Sequence, residues 1–229
     1  MGTKERRERE KDELRTKILD AARELFAREG YEAVSMRRIA DAIEYSPTAI
    51  YGYFQDKARL MRELCVADFG TINAANRGVL EIADPIERIR ELGFHYIRFA
   101  VSHPNHFRLM FMTKPTPEMT DYSEEELREQ GKGDPNRDGY ALLLLTVKQA
   151  IEAGRLRPEL SDPKLVTQLL WAGVHGVAAL QITRPENAQW CQWSGADVLG
   201  REMIDLIFRG ILRDGDRALI GSGKKESTR

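Results

Sequence analysis

The chain has 229 residues, of which 42% are hydrophobic, and its formal net charge is −1. This length allows one large domain or two small ones, and the hydrophobic content is sufficient for a real core. The near-neutral charge excludes total charge as an argument for nucleic-acid binding, so such an interpretation must rest on where individual charges are placed.

The chain begins with a charged segment followed by an amphipathic helix. Residues 1–13 are highly charged and have no apolar face, so we expect a disordered arm. The next residues repeat apolar side chains at helical spacing, and Gly30 follows them where glycine commonly ends a helix. The apolar stripe of this helix consists of Leu14, Ile18, Ala21, Ala22, Leu25 and Phe26.

Two short helices are predicted next. Ser35 can cap the first, whose apolar residues have the spacing i, i+3, i+4 and i+7. Ser46 and Pro47 open the second as a cap residue followed by proline at the first helical position. Ile50 and Phe54 then share one face. Two such helices with a short turn form a helix-turn-helix, which in DNA-binding proteins places its second helix in the major groove.

The other side of the second short helix carries residue types suited to DNA. Thr48 offers a hydroxyl and a methyl group to base edges, and Ala49 can contact a thymine methyl. Gly52 allows a backbone to come close, and Tyr51 and Tyr53 can donate their O–H groups to phosphates. We therefore predict a DNA-binding domain over residues 14–56, with sequence preference dependent on Thr48.

Cations lie at the starts of two neighbouring helices. Lys57 begins the next helix, where the helix N-terminus and the ammonium group both attract phosphate. Arg37 and Arg38 lie in the first turn of the first short helix, where cations oppose the helix dipole and an external anion would explain their placement. The alternative is that all these side chains form an ordinary solvated surface. The predicted DNA-contacting residues are Ser35, Arg37, Arg38, Ser46, Thr48, Ala49, Tyr51, Gly52, Tyr53 and Lys57.

The stretch from residue 18 to residue 57 resembles the N-terminal domain of the tetracycline-repressor (TetR) family of transcriptional regulators. One departure concerns the turn, where the family usually has glycine-valine and this chain has Glu44 and Tyr45. A non-glycine residue in a left-handed turn costs on the order of 1 kcal/mol, and Glu44 puts a negative charge near the DNA face. The resemblance is carried by Phe26, Gly30, Tyr31, Ser35, Ile39, Ala40, Ser46, Tyr51, Tyr53, Phe54 and Lys57.

The rest of the chain is predicted to be helical. No run of residues alternates with period two over a length that would indicate a sheet, so the predicted fold class is all-α. Helical patterns cover residues 57–82, 85–100, 107–111, 140–153, 163–183 and 197–213, and much of 113–139 is a polar loop. We expect residues 57–214 to form a larger effector-binding and dimerisation domain, followed by a disordered tail over residues 215–229.

A second motif lies in the C-terminal half. Trp171-x-x-x-His175-Gly176 resembles the W-x-x-x-H-G signature of a C-terminal domain in one branch of the TetR family. Gly173 and Gly176 would let another helix pack closely, as at a dimer interface. The family resemblance implies a homodimer through residues 163–183 and 197–213, which suits a palindromic double-stranded operator with two recognition helices about 34 Å apart.

The family resemblance also implies a small-molecule effector. Effector cavities are largely apolar with few polar groups, so some of the large apolar side chains are candidates to line one, although most are expected in the core. A histidine in the core or at an interface is a simpler interpretation of His175 than a ligand contact. The candidate effector-binding residues are Phe69, Phe94, Phe107, Met110, Phe111, Trp171 and His175.

Motifs of enzymes and metal sites give no support for another class. The chain has no Gly-x-Ser-x-Gly, His-Glu-x-x-His or Cys-x-x-Cys pattern. His103 and His106 are three residues apart, but Pro104 lies between them and no third ligand is apparent, so we expect no metal and no cofactor. The predicted function is a DNA-binding regulator, a repressor released by an apolar or aromatic effector. The alternatives are a helical ligand-binding or interaction protein that does not bind DNA, which Glu44 and the neutral charge favour, and an enzyme on a helical scaffold.

The expected compartment is the cytoplasm. Cys65 and Cys191 are far apart in sequence, and with no signal peptide they are expected to be reduced thiols. The longest apolar run, over residues 140–147, is shorter than the roughly 18 residues of a membrane span, so no membrane association is expected.

Overall fold

The computed structural model describes residues 3–184 and 192–219, and all regular elements in these ranges are helices, which confirms the predicted all-α fold class. Two short 3₁₀ helices cover Val79–Glu81 and Asp214–Leu219. The α-helices are α1 (Thr3–Glu29), α2 (Met36–Ala42), α3 (Pro47–Tyr51), α4 (Lys57–Ala75), α5 (Pro85–Ser102), α6 (Pro104–Phe111), α7 (Pro117–Thr120), α8 (Glu124–Glu129), α9 (Gly139–Glu152), α10 (Pro163–Thr183) and α11 (Ala196–Ile211).

The chain divides into two compact units. The first takes Met1–Gly70 with His103–Glu125, and the second takes Thr71–Ser102 with Glu126–Arg229. The first unit therefore extends beyond the predicted boundary at residue 56. The physical reason is that Leu60, Met61 and Leu64 of α4 and Leu109 of α6 are buried in the same core as the helix-turn-helix. These added helices support a three-helix unit that would be marginal by itself.

The core of the first unit follows the apolar stripes of the sequence. Ile18, Ala22, Leu25 and Phe26 of α1 are buried, as the helical spacing predicts. Gly30 ends this helix with φ +84, a left-handed conformation that glycine adopts without steric cost. The same buried cluster also contains residues from α2, α3 and the adjoining turns, namely Val34, Met36, Ile39, Ala40, Ile43, Ile50 and Phe54.

The second unit is built mainly from α5, α9, α10 and α11. Its apolar core contains Ile86 and Ile97 of α5 together with Val147 of α9 and Val174 of α10. Asp205 of α11 is buried in this unit and accepts a hydrogen bond from the guanidinium of Arg90 on α5 at 2.8 Å. Because both charges are removed from water, each depends on the other for compensation.

Three predicted boundaries differ from the structure. The predicted arm is helical from Thr3, and pairs one helical turn apart, such as Arg6 Nε to Glu10 Oε1 at 2.7 Å, favour that helix. The helix predicted to reach residue 82 ends at Ala75, before Gly78 with φ +82. Part of the predicted disordered tail is the 3₁₀ helix at its start, whereas residues 220–229 lie outside the described residues, as does Cys191.

Helix α10 contradicts the expectation that no stretch is long and apolar enough to cross a membrane. Pro163–Thr183 is long and apolar enough for such a span by length and composition alone. Its apolar side chains serve two faces: Val166 and Leu170 are buried in the second unit, whereas Leu165 and Leu169 are exposed. Length and composition do not separate a spanning helix from one with two apolar faces in a folded domain.

The Arg90–Asp205 pair generates a stability prediction. Changing Asp205→Ala removes the buried carboxylate of Arg90 and leaves it the longer contact with the half-buried Glu87 at 3.4 Å, so the free energy of unfolding is expected to fall by up to about 3 kcal/mol. Urea denaturation followed by circular dichroism measures the change. Asp197→Ala on the same helix is the control, because Asp197 is exposed and lies 4.0 Å from Arg98. Equal effects of the two substitutions would contradict the assigned role of the buried pair.

Candidate nucleic-acid interface

Side-chain caps define the starts of both short helices. Ser35 Oγ accepts a hydrogen bond from the backbone N–H of Arg38 at 3.1 Å, and Ser46 Oγ accepts one from Ala49 at 3.2 Å. Pro47 occupies the first helical position of α3. Both serines are exposed, but their hydroxyls already satisfy backbone donors that the helices cannot satisfy themselves. Their predicted place at the interface therefore coincides with a structural role.

Burial of one side of α3 determines which side chains face solvent. Ile50 and Phe54 are fully buried, as their four-residue spacing predicts. Thr48 and Gly52 are exposed, Tyr51 is 54% exposed, and Ala49 and Tyr53 are half-buried. The exposed side of α3 thus carries a hydroxyl, a phenol and a position without a side chain, which is a surface able to meet base edges and phosphates.

The turn between α2 and α3 adopts the strained conformation that the sequence predicts. Glu44 has φ +62, the one non-glycine residue with positive φ in the described part of the chain. The backbone N–H of Tyr45 donates to the carbonyl of Ala40 at 3.0 Å, and that of Glu44 donates to Asp41 at 3.3 Å. This pair of bonds is a Schellman motif, in which glycine is normally preferred at the position of Glu44.

A lysine that the motif analysis did not include supports this turn. Lys17 of α1 donates from Nζ to the carbonyl of Ile43 at 3.2 Å, and its ammonium lies 5.2 Å from the centre of the Tyr45 ring. Tyr45 itself is exposed. Lys17 precedes Ile18 in the helical pattern of α1. Nothing in the neighbouring sequence predicts its contact with Ile43, which is 26 residues away.

The predicted cations have different surroundings. Lys57 donates from Nζ to the carbonyl of Tyr31 at 2.9 Å, and the ammonium lies 4.2 Å from the Tyr31 ring centre, so it is half-buried in an internal contact. Arg38 pairs with Glu29 at 3.2 Å. Arg37 is exposed, and within the described ranges no acidic side chain forms an ion pair with it. Arg37 is therefore the predicted cation with the fewest contacts to other residues of its unit.

The candidate effector residues are divided between the two units. Phe69, Phe107, Met110 and Phe111 belong to the first unit, whereas the other three belong to the second. In the first unit the Phe111 ring lies 5.0 Å from that of Phe107 and 5.8 Å from that of Phe69, and Phe107 is fully buried. Phe107 is thus a core residue, in agreement with the expectation that most of these side chains are core.

The second unit groups its candidates with two tyrosines that the sequence analysis missed. The Trp171 ring lies 6.3 Å from His175 and 6.2 Å from Tyr140, and the Tyr96 hydroxyl lies 2.8 Å from His175 Nδ1. Phe94 contacts Arg98 instead, with the guanidinium 5.6 Å from its ring centre. Burial lowers the pKa of His175 and raises the pKa of Tyr96, so the pair is held as a neutral hydrogen bond.

The turn generates a stability prediction. Glu44→Gly is expected to raise the free energy of unfolding by up to about 1 kcal/mol, because glycine adopts positive φ without the steric penalty of a side chain. Glu44→Gln is the matched variant, since it removes the charge and keeps the strained backbone. Urea denaturation should show little change for the glutamine variant. Equal stabilisation by both would assign the effect to charge.

His175 generates a prediction about pH. Its pKa is lowered in the folded chain, so the unfolded chain binds the proton more readily as the pH falls below about 6.5. The neutral histidine therefore contributes stability above that pH and loses the contribution on acidification. The difference in unfolding free energy between wild type and His175→Gln should shrink from pH 7.5 to pH 5. A constant difference would contradict the prediction.

Two family models match consecutive parts of the chain. The model described as "Bacterial regulatory proteins, tetR family" matches residues 18–64, which include the whole helix-turn-helix and its supporting core. The model described as "Tetracyclin repressor-like, C-terminal domain" matches residues 89–198, from within α5 to the first turn of α11. Both matches therefore point to one family of regulators.

Curated relatives and solved structures agree with these matches. The chain is 28% identical over 158 residues to the HTH-type transcriptional regulator AcrR of Shigella flexneri, covering 66% of this chain and 70% of AcrR. It is 22% identical over 205 residues to the HTH-type transcriptional repressor KstR2 of Mycobacterium tuberculosis, covering 88% and 94%. The structure of KstR2 superposes with a TM-score of 0.62 at 21% identity, covering 87% of this chain and 95% of that one.

A TetR family transcription regulator from Marinobacter aquaeolei VT8 has the same fold, with a TM-score of 0.69 at 18% identity over 90% of this chain and 98% of that one. At this identity the likeness concerns the fold alone. The sequence matches, by contrast, extend to the residues of the helix-turn-helix. Because both family models and the curated relatives are transcriptional regulators, the chain belongs to the TetR family of DNA-binding transcriptional regulators.

Proposed function

We propose that the protein is a homodimeric, cytoplasmic repressor that binds a palindromic operator and is released by a small apolar or aromatic effector. The observation that carries this proposal is the exposed side of α3, where Thr48 and Tyr51 face solvent because Ile50 and Phe54 are buried. Relatives named as repressors, including KstR2, support repression over activation. We also propose that the protein belongs to the branch of the family that carries the W-x-x-x-H-G motif, because Trp171, His175 and Gly176 have that spacing.

Exposed apolar side chains on α10 and α11 support a dimer through residues 163–183 and 197–213. Leu169 is 50% exposed and Leu206 is 62% exposed, and Leu165, Leu180 and Val198 are exposed in the same two helices. Monomeric proteins rarely leave so many large apolar side chains in contact with water on neighbouring elements. Pairing these helices with a second copy removes that surface from water.

The two glycines of α10 have different roles in this arrangement. A Cβ atom on Gly173 would lie 2.5 Å from Ile207 Cδ1, so Gly173 lets α11 of the same chain approach. A Cβ atom on Gly176 would meet nothing within 4 Å. The predicted close approach at Gly173 is therefore internal, and only Gly176 remains a candidate for close contact across the dimer.

The proposed contacts divide by chemistry. Thr48 reads base edges together with Ala49 and Gly52, whereas Tyr51 and Arg37 contact phosphates. Lys57 acts mainly inside the unit by holding the carbonyl of Tyr31. Release follows from a shift between two states of the dimer, for which a coupling of about 1–3 kcal/mol changes operator affinity about 5- to 150-fold. The effector must bind these states with different affinities.

The second candidate function is a helical ligand-binding protein whose helix-turn-helix does not bind DNA. The observation in its favour is the exposed carboxylate of Glu44 beside α3, which repels phosphates. Fluorescence anisotropy separates the two functions. The protein is titrated onto DNA from upstream of its own gene and onto scrambled DNA at two salt concentrations. Binding of two chains per site with sequence preference supports the repressor, and equal weak binding to both DNAs refutes it for that site.

Variants of the interface give a sharper prediction. Arg37→Ala should weaken binding to specific and random DNA alike and reduce the salt slope by about 1, because one phosphate contact is lost. Thr48→Ala should instead weaken specific binding and leave random DNA unaffected. Lys148→Ala is the charge-matched control, since Lys148 is exposed on α9. Equal loss on both DNAs after the change at Thr48 would refute its assigned role.

A further inference from the structure

Two buried arginines lie two residues apart on α5, and their partners differ. Arg90 is 6% exposed and meets the carboxylate of Asp205 at 2.8 Å. Arg88 is 8% exposed and donates from Nη1 to the neutral amide oxygen of Gln149 on α9 at 2.7 Å. Its Nε is buried without a hydrogen-bond partner. In the ranges 3–184 and 192–219, no carboxylate lies within ion-pair distance of Arg88.

The acidic residues closest to Arg88 in sequence have other partners. Asp84 pairs with Arg155 at 3.2 Å and accepts a hydrogen bond from the backbone N–H of Ile86. Glu87 lies 3.4 Å from the guanidinium of Arg90, and Glu91 lies 3.8 Å from Nε2 of His95. None of these three carboxylates forms an ion pair with Arg88.

Buried apolar side chains lie on the same two helices as Arg88 and Gln149. Leu92 follows Arg88 by one turn of α5, and Leu142 lies two turns before Gln149 on the same face of α9. Leu92 and Leu142 are buried and pack together with Val79. The helices α5 and α9 thus share both an apolar cluster and the hydrogen bond between Arg88 and Gln149.

A buried cation without an anion is costly, because a neutral amide cannot replace the lost hydration of the charge. A guanidinium has five N–H donors in a planar array, and a carboxylate can accept two of them in parallel. The Nε of Arg88 is unpaired, and its Nη1 donates only to the neutral amide of Gln149. Arg88 therefore lacks one component, an oxyanion that accepts hydrogen bonds from its guanidinium.

We propose that Arg88 and Gln149 form the head-group site for an effector with a carboxylate on an apolar body. The carboxylate accepts hydrogen bonds from Nε and Nη of Arg88, and the Gln149 amide can rotate to donate to the same group. The assignment rests on the proposed ligand-responsive function and narrows its effector class. It also explains why Arg88, unlike Arg90, lacks an acidic partner in the chain.

Calorimetric titration of the full-length protein without DNA tests this site with three probes: decanoate, 1-decanol and acetate. Wild type is expected to bind decanoate about tenfold or more tightly than decanol, and Arg88→Met should remove that preference while decanol binding is unchanged. Arg98→Met is the matched control, because Arg98 is an exposed arginine on the same helix and the charge change is equal. Its affinities should stay within about twofold of wild type.

Three outcomes would overturn the assignment. These are decanoate binding no tighter than decanol in wild type, unchanged decanoate binding in Arg88→Met, and acetate binding as tightly as decanoate, which would indicate a site for small free anions. Thermal unfolding of Arg88→Met excludes loss of the fold, since removal of an unpaired buried charge should keep or raise stability. Operator binding is measured separately, so a failed decanoate titration leaves the proposed repressor intact, and absent operator binding refutes the repressor alone.

Discussion

The proposed DNA-binding surface depends on the burial of one side of a very short helix. Helix α3 has five residues, a length at which an isolated helix does not form in water. It persists because Ile50 and Phe54 are buried in the core of the first unit, with Ser46 capping its first turn. The same burial determines that Thr48 and Tyr51 point to solvent. Folding of the unit and presentation of the DNA-facing residues are therefore one event, and a loss of core packing would also remove the interface.

Charged side chains of the first unit are arranged differently at its surface and in its interior. The interface combines Arg37 with the exposed carboxylate of Glu44, so its electrostatic attraction for phosphates is modest, in keeping with a chain whose net charge is −1. Inside the first unit, Asp68 of α4 is buried and pairs with Arg23 of α1 at 2.8 Å. This buried ion pair connects α1, which supports the turn, with α4, which follows the helix-turn-helix. A displacement of α4 would therefore also displace α1.

In the second unit, the apolar side chains of α10 lie on two sides of the helix, one buried and one exposed. Helix α10 has enough apolar residues to resemble a membrane span because it covers a core on one side and exposes leucines on the other. The proposed dimer would remove this exposed side from water. Within the core, the contrast between Arg90, which has its carboxylate, and Arg88, which has an amide, distinguishes a structural ion pair from a charge that is available to a ligand.

The sequence by itself determined the features that depend on local periodicity and capping. The helical class, the buried face of α3 and the caps at Ser35 and Ser46 follow from neighbours within a few positions, whereas the left-handed conformation of Glu44 was expected from the family resemblance. Tertiary structure alone decided what depends on distant partners. Lys57 donates a hydrogen bond to the carbonyl of Tyr31, and Lys17 donates one to the carbonyl of Ile43 in the turn. Gly173 allows α11 of the same chain to approach α10. Arg88 has no carboxylate partner because the acidic residues near it in sequence contact other residues. Such contacts join residues far apart in the chain, and local periodicity contains no information about them.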